Sequence, residues 1–368
     1  MSLSSRIHRK AEQLGFSGIG ITSVRLLPGK EYFQNWLKAR MHGEMKYLQR
    51  QSLKRQDPRL ILTAARSILV LATNYYSGEA VFDDPLKGRI SRYAWGDDYH
   101  YIVKNRLTKL LEFIRTEEPA AQGHCYVDTG PVMEKTWGAQ TALGWMGKHT
   151  NLITRDYGGW LFLGLILLNT ELEYDLKGGD FCGSCNRCIS ACPTGAIVAP
   201  YRLDARLCIS YLTIELRGLI PRSLRPLIGN RIFGCDECQE VCPWNRFAAT
   251  TSDKEFYCRE SNFMPDLMSL VHITPEEFDE RFKNSPIRRI KHDGFVRNVL
   301  VALGNSRQRR AEPALADALQ NDSPSVRAHA AWALGQIGTA RARSILESRK
   351  SGETHPTVLD EINYALDI

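Results

Sequence analysis

Eight of the ten cysteines lie between residues 182 and 242, and their spacing is that of metal ligands. Cys182, Cys185, Cys188 and Cys192 form a C-x2-C-x2-C-x3-C run closed by Pro193. Cys235, Cys238 and Cys242 form a shorter run closed by Pro243, and Cys208 is the nearby candidate to complete that set. A [4Fe–4S] cluster takes four thiolates, and in two-cluster ferredoxins the cysteine before the proline crosses to the other cluster. The spacing therefore predicts one cluster on Cys182, Cys185, Cys188 and Cys242 and a second on Cys192, Cys208, Cys235 and Cys238. Zinc ribbons use paired C-x2-C knuckles instead, disulfide frameworks belong to secreted chains, and no radical-SAM C-x3-C-x2-C is completed after Cys192. Cys125 and Cys258 are left over, and each is expected to be a small buried residue.

Two clusters carry electrons but do little organic chemistry, so they should feed a second redox centre. There is no P-loop, and Gly15-x2-Gly18-x-Gly20 departs from a dinucleotide fingerprint. Asp98-Tyr99-His100 begins like the D-x-H-x-x-G of histidine-ligated cobalamin proteins but lacks the glycine, so His100 is expected to be structural or substrate-side. The most suggestive acid is Asp128, in Tyr126-Val127-Asp128-Thr129-Gly130-Pro131, where an apolar strand should meet a turn. It could be a turn or cap residue. It could equally be a general acid whose pKa is raised in a dry site.

These residues need a scaffold. The 368 residues, 43% hydrophobic and 24% charged, suggest two or three globular domains. Residues 1–175 read as α/β, with a helix over Ser4–Leu14, strands at Gly18–Thr22, Ser67–Tyr76, Cys125–Gly130 and Trp160–Asn169, and a helix over Tyr99–Arg115. Residues 176–250 hold the cysteines, and 251–290 form an irregular basic connector broken by Pro265, Pro275 and Pro286. Residues 291–368 carry a repeat, since Ala302-Leu303-Gly304 recurs as Ala333-Leu334-Gly335 at an offset of 31. Paired short helices of this kind resemble HEAT repeats, which stack and commonly bind partners.

No apolar run is long enough to span a bilayer, and no signal-like leader is visible, so a cytoplasmic protein without membrane contact is expected. Between Arg281 and Arg310 there are nine Lys or Arg and one acid, Asp293, while the whole chain is only +7. Basic charge concentrated in this way predicts contact with nucleic-acid phosphates.

The sequence resembles the epoxyqueuosine reductases over nearly its full length. The residues that carry the likeness are Ser91-Arg92-Tyr93-Ala94-Trp95-Gly96-Asp97-Asp98-Tyr99-His100, Val127–Gly130, Cys182–Pro193 with Thr194-Gly195-Ala196, Arg206-x-Cys208-Ile209-Ser210, Ile228–Arg231 with Gly234-Cys235-Asp236, and the tail. The resemblance implies an α/β cobalamin-binding domain, a ferredoxin-like domain with two [4Fe–4S] clusters and an all-α HEAT-like domain. It implies reduction of the epoxide of epoxyqueuosine at the tRNA wobble position, and a monomer fed by an external donor such as a flavodoxin or ferredoxin. Asp128 matches the family's proton donor. Cobalamin contacts carried over are Arg55, Ser91, Asp128, Leu152, Leu163, Ser210 and Asp236. Ser91 is a departure, since some relatives have cysteine there. Arg288, Arg289, Lys291, Arg297 and Asn298 are the candidates for the tRNA backbone. Two other readings share parts of the pattern, a reductive dehalogenase of small molecules and a non-catalytic ferredoxin-type carrier.

Overall fold

A computed structural model describes residues 1–368. The chain separates into two compact units. The first comprises Met1–Gly78, Asp97–Arg206 and Glu237–Tyr257, and the second Glu79–Gly96, Leu207–Asp236 and Cys258–Ile368. No helix is long and apolar enough to cross a membrane.

The first unit is built on a four-stranded antiparallel sheet of β1 (Gly18–Ser23), β2 (Ser67–Asn74), β3 (Gly123–Tyr126) and β4 (Leu161–Leu168), in spatial order β1-β2-β4-β3. Register runs from Ser67 opposite Leu168 to Asn74 opposite Leu161. Every residue of β2 is buried, which explains the apolar run Ile68–Ala72 at its centre, because both sheet faces are covered. One face packs on Leu27, Val132 and Trp137, through Ile68, Val70, Leu165 and Leu167. Helix α1 (Leu3–Gln13) contacts β1, and α2 (Tyr99–Glu117) packs on β4 and buries Val103, Leu107, Leu110, Leu111 and Ile114. The Asp98 carboxylate caps α2 by accepting from the His100 N–H at 3.0 Å. β3 stops at Tyr126, so the segment expected to continue as strand to Gly130 is a turn instead.

In the second unit, Arg89–Ile90 pairs in parallel with Arg231–Phe233. Its C-terminal half holds α3 (Lys291–Ser306), α4 (Glu312–Ala318), α5 (Pro324–Ile337), α6 (Ala340–Gly352) and α7 (Pro356–Asp367). The 31-residue offset has a direct steric cause. A Cβ on Gly304 would lie 2.9 Å from Ala333 Cα, and one on Gly335 would lie 2.9 Å from Ala365 Cα. Each glycine lets α3 close on α5 and α5 on α7. Buried Arg225 holds Glu361 through two hydrogen bonds of 2.8 and 2.9 Å. The connector is more regular than its prolines suggested. Pro275 opens a helix, Pro275–Arg281, whose first turn is closed by a Thr274–Glu277 capping box. Proline at a first helical position loses no hydrogen bond, so it starts this helix rather than breaking one.

Candidate functional site

β3 delivers Val127 to the sheet end, and the chain reverses at Asp128. Thr129 N–H donates to Val127 O at 2.5 Å, a three-residue turn that puts Asp128 at φ +54°. That left-handed conformation is uncommon and strained for a non-glycine residue, and such strain gathers at functional sites. The Asp128 side chain is 70% exposed.

α2 supplies its partners. Tyr99 Oη donates to Asp128 Oδ2 at 2.9 Å, and His100 Nε2 lies 3.8 Å from the same oxygen. His100 Nδ1 is 2.7 Å from Asp98 Oδ1, so the imidazole stands between two carboxylates. Tyr99 is fixed by stacking on Phe162, with ring centres 4.3 Å apart and planes 2° apart. Asp128 N–H donates to Glu134 Oε1 at 3.0 Å.

The electrostatics invert the expected protonation. The Asp128 side chain opens to solvent on one side but stands among enough protein that desolvation would raise its pKa; the hydrogen bonds from His100 and Tyr99, with the charges of His100 and Lys135, outweigh this and bring it to about 2. Burial would lower the His100 pKa, but Asp128 and Asp98 outweigh it and lift it to about 9. Glu134 rises to about 7 through burial and the Asp128 charge. For Asp128 the direction is opposite to the raised carboxyl pKa expected at a dry strand end, because the His100 imidazole and a hydroxyl donor face it and favour its charged form.

All ten cysteines are unbridged. Burial and the charges of Cys182, Cys242 and Cys185 raise the Cys188 thiol, so these four thiols lie close enough to act on one another. That gathering and the soft donor set fit a cluster. The helices Arg187–Ala191 and Glu237–Glu240 pack together and bring Cys192 and Cys238 into the first unit, whereas Cys208 and Cys235 belong to the second. The Ala196 N–H donates to Cys192 Sγ at 3.2 Å. The Lys148 ammonium, buried, donates to Gly183 O at 2.7 Å, Cys185 O at 2.9 Å and Asn186 Oδ1 at 3.2 Å, fixing the first cysteine loop. Burial holds the Cys125 thiol at about 11 and the Cys258 thiol at about 12, so neither is a ready thiolate.

The carried-over cofactor positions fall in both units. Arg55, Asp128, Leu152 and Leu163 are in the first, and Ser91, Ser210 and Asp236 in the second. Arg55 is buried, donates to Val132 O at 3.0 Å and leaves its Nε with no protein partner, an orphaned donor of the kind a bound polar group would satisfy. Ser91 donates to Asp236 Oδ1 at 2.5 Å, and the Arg92 N–H to Asp236 Oδ2 at 2.8 Å.

The basic candidates separate sharply. Arg297 and Asn298 are buried, which corrects their assignment to the tRNA backbone. The Arg297 guanidinium donates to Leu216 O at 2.9 Å, Gly218 O at 2.8 Å and Leu212 O at 3.0 Å, and Asn298 donates to Thr213 O and Ile232 O. They tie the end of the Ile209–Ile214 helix, the loop after it and the Arg231–Phe233 strand together, and cannot reach a phosphate. Arg288 and Arg289 are partly exposed but paired with Asp279 and Glu215, and Lys291 is exposed. Tyr99, Glu134 and Lys148 were not singled out from sequence. Glu134 had a faint signal, six residues past Asp128; Lys148 had none, because burial of a lysine is not written in its neighbours.

Three family models match the chain. One described as a 4Fe-4S double cluster binding domain covers residues 181–245, one described as epoxyqueuosine reductase QueG, DUF1730 covers 55–129, and one described as HEAT repeats covers 295–367. The chain is thus an iron–sulfur oxidoreductase with a double-cluster domain and a HEAT-repeat tail. It belongs to the epoxyqueuosine reductase family. It is 39% identical to the epoxyqueuosine reductase of Escherichia coli over 349 residues, 94% of this chain and 92% of that one. A crystal structure of epoxyqueuosine reductase with an epoxyqueuosine-modified tRNA-Tyr stem loop is 29% identical, with a TM-score of 0.93 over 99% of this chain and 98% of that one. A Bacillus subtilis epoxyqueuosine reductase, solved with its aspartate-bearing catalytic loop swung out of the active site, is 28% identical with a TM-score of 0.90, over 99% of this chain and 98% of that one.

Proposed function

We propose that this chain reduces the epoxide of epoxyqueuosine in tRNA to the alkene of queuosine. The observation that carries the reading is a solvent-open Asp128 with one carboxylate oxygen faced by the Tyr99 hydroxyl at 2.9 Å and His100 Nε2 at 3.8 Å, in a chain of this family. Residues 1–175, Ser91 among them, with Ser210 and Asp236, are proposed to hold cobalamin, and Arg55 Nε is a donor available to it. Bound there, cobalamin supplies the reducing centre, and the clusters supply its electrons singly.

Opening one epoxide to an alkene consumes two electrons and two protons and releases one water. The protein's part is to provide protons at the departing oxygen. His100 keeps a proton on Nε2 facing Asp128, while its Nδ1 is committed to Asp98. Negative charge developing on the oxygen draws that proton through the Asp128 carboxyl, and Tyr99 keeps the carboxyl in place. Arg288, Arg289 and Lys291 are the remaining candidates for tRNA phosphates, with the HEAT-like helices beside them. A monomer working in the cytoplasm, with a flavodoxin or ferredoxin as donor, completes the proposal.

The decisive experiment incubates reconstituted protein with cobalamin, a strong reductant and tRNA bearing epoxyqueuosine, then analyses the nucleosides. Queuosine is the expected product. Its absence, with both cofactors bound, would refute the reading.

A further inference from the structure

The first cysteine set opens onto an aromatic patch that the proposed reaction leaves unused. Trp145 packs edge-on against Phe181 at 5.0 Å and against Trp244 at 4.8 Å, and Trp244 continues to Phe247 at 5.9 Å. Phe181 and Phe247 are 40% and 46% exposed. Phe181 and Trp244 flank the ligands Cys182 and Cys242 in the chain. At the inner end, the Nε1 of buried Trp145 has no hydrogen-bond partner in the protein.

Two exposed guanidiniums frame the patch. Arg155 lies 4.3 Å over the Phe181 ring and Arg246 lies 4.5 Å over the Phe247 ring. Their placement is fixed from below, because the Gly159 N–H donates to Asn245 Oδ1 at 2.7 Å, joining the loop after Arg155 to the residue before Arg246. Two acids adjoin the patch in the chain: Asp180, occupied with the Cys182 N–H at 2.8 Å and with the Tyr201 hydroxyl, and exposed Asp156, which follows Arg155. An exposed aromatic centre with an arginine rim is the composition of a protein-docking surface, and its positive sign selects a negatively charged partner.

We infer that the Trp145–Phe181–Trp244–Phe247 patch, rimmed by Arg155 and Arg246, is where an acidic one-electron carrier protein docks to reduce the cluster on Cys182, Cys185, Cys188 and Cys242. This rests on the double-cluster domain and on the proposed need for external electrons. The division of labour follows from sequence position. Cys208 and Cys235 adjoin Ser210 and Asp236, the proposed cofactor contacts, so the second set faces the chemistry and the first set is the entry. Electron transfer falls off steeply with distance, so a carrier seated on these rings needs no other route. Each docking delivers one electron. The carrier is oxidised by one electron, the cluster is reduced by one, and two dockings serve one epoxide.

The test uses the full, cluster-loaded chain and a reduced, strongly acidic ferredoxin, following bleaching of the cluster absorption by stopped flow. Wild-type protein should be reduced at a second-order rate that falls as salt is added. The R155E/R246E variant should lose about 10- to 100-fold of that rate at low salt and most of its salt dependence. Sodium dithionite should reduce both proteins equally, and retardation of a tRNA stem loop should be unchanged. R155Q/R246Q, which keeps the surface polar without reversing it, should fall between the two, with iron content confirming that both variants are folded. An unchanged ferredoxin rate in R155E/R246E would overturn the inference, as would loss of tRNA retardation, which would assign the patch to nucleic acid. Failure of dithionite to bleach wild-type protein would strike the cluster reading itself, a distinguishable result.

Discussion

The Tyr99 hydroxyl and His100 Nε2 address the same oxygen of Asp128, at 2.9 and 3.8 Å. Adjacent residues at the start of one helix thus control a carboxylate 28 residues further on. The helix cap at Asp98 makes this possible, since it also takes His100 Nδ1 and leaves Nε2 pointing at Asp128.

Asp128→Asn keeps the size of the group and removes its ability to pass a proton. Turnover should drop by about 10²- to 10⁴-fold, the usual scale for a lost general acid. Iron content and cofactor binding should be unchanged. Single-turnover nucleoside analysis reads the first, and visible spectra read the second. Full activity in the variant would remove Asp128 from the reaction.

The pH dependence has a definite sign. His100 is lifted from 6.5 to about 9, so it is charged at neutral pH and loses its proton only as pH rises through about 9. Turnover should therefore hold through neutrality and fall on the alkaline side, with an apparent pKa that belongs to the coupled His100–Asp128 group. The folding contribution of the His100 shift follows the same direction, complete below 6.5 and lost through about 9, while that of Asp128 is complete above 3.8 and lost as pH falls through about 2. His100→Gln should abolish the alkaline limb. A limb that persists unchanged in this variant would place the titration elsewhere.

The crossed ligand sets predict which cysteines behave alike. Cys182→Ala and Cys242→Ala should each destroy the same cluster, leaving about half the iron, while Cys192→Ala should resemble Cys235→Ala. Iron analysis and electron paramagnetic resonance of the reduced variants decide this. If Cys242→Ala instead matches Cys235→Ala, the crossing is wrong.

Arg297 and Arg288 should separate stability from binding. Arg297→Met would leave the Leu212, Leu216 and Gly218 carbonyls without their donor in a buried site, costing on the order of 3 kcal/mol or more. Its melting temperature should fall by several degrees. Arg288→Ala should leave melting alone, weaken tRNA binding and lower the salt slope by about one.

Much of the architecture was legible because strong periodic patterns sit where packing demands them. β2 and β4 carry long apolar runs that are largely buried, and the cysteine spacing has few other uses. What escaped notice depends on three-dimensional neighbours. Arg297 sits in a basic stretch and looks like a phosphate contact, yet its helix turns it inward to backbone carbonyls 79–85 residues away in sequence. The protonation state of Asp128 was likewise invisible, because it is decided by α2 rather than by the turn that bears it. Pro275 looked like a breaker because only Thr274 and Glu277 together reveal the helix it begins.

The glycines at 304 and 335 divide the tail into parts that can and cannot change length. Each helix contact needs a missing side chain where the next helix crosses, so α3 and α5 are fixed in phase. One residue inserted inside either helix would turn a bulky side chain toward Ala333 or Ala365 and force the helices apart. Residues inserted in the loops between helices leave both glycines facing their partners, so variation in length belongs to those loops.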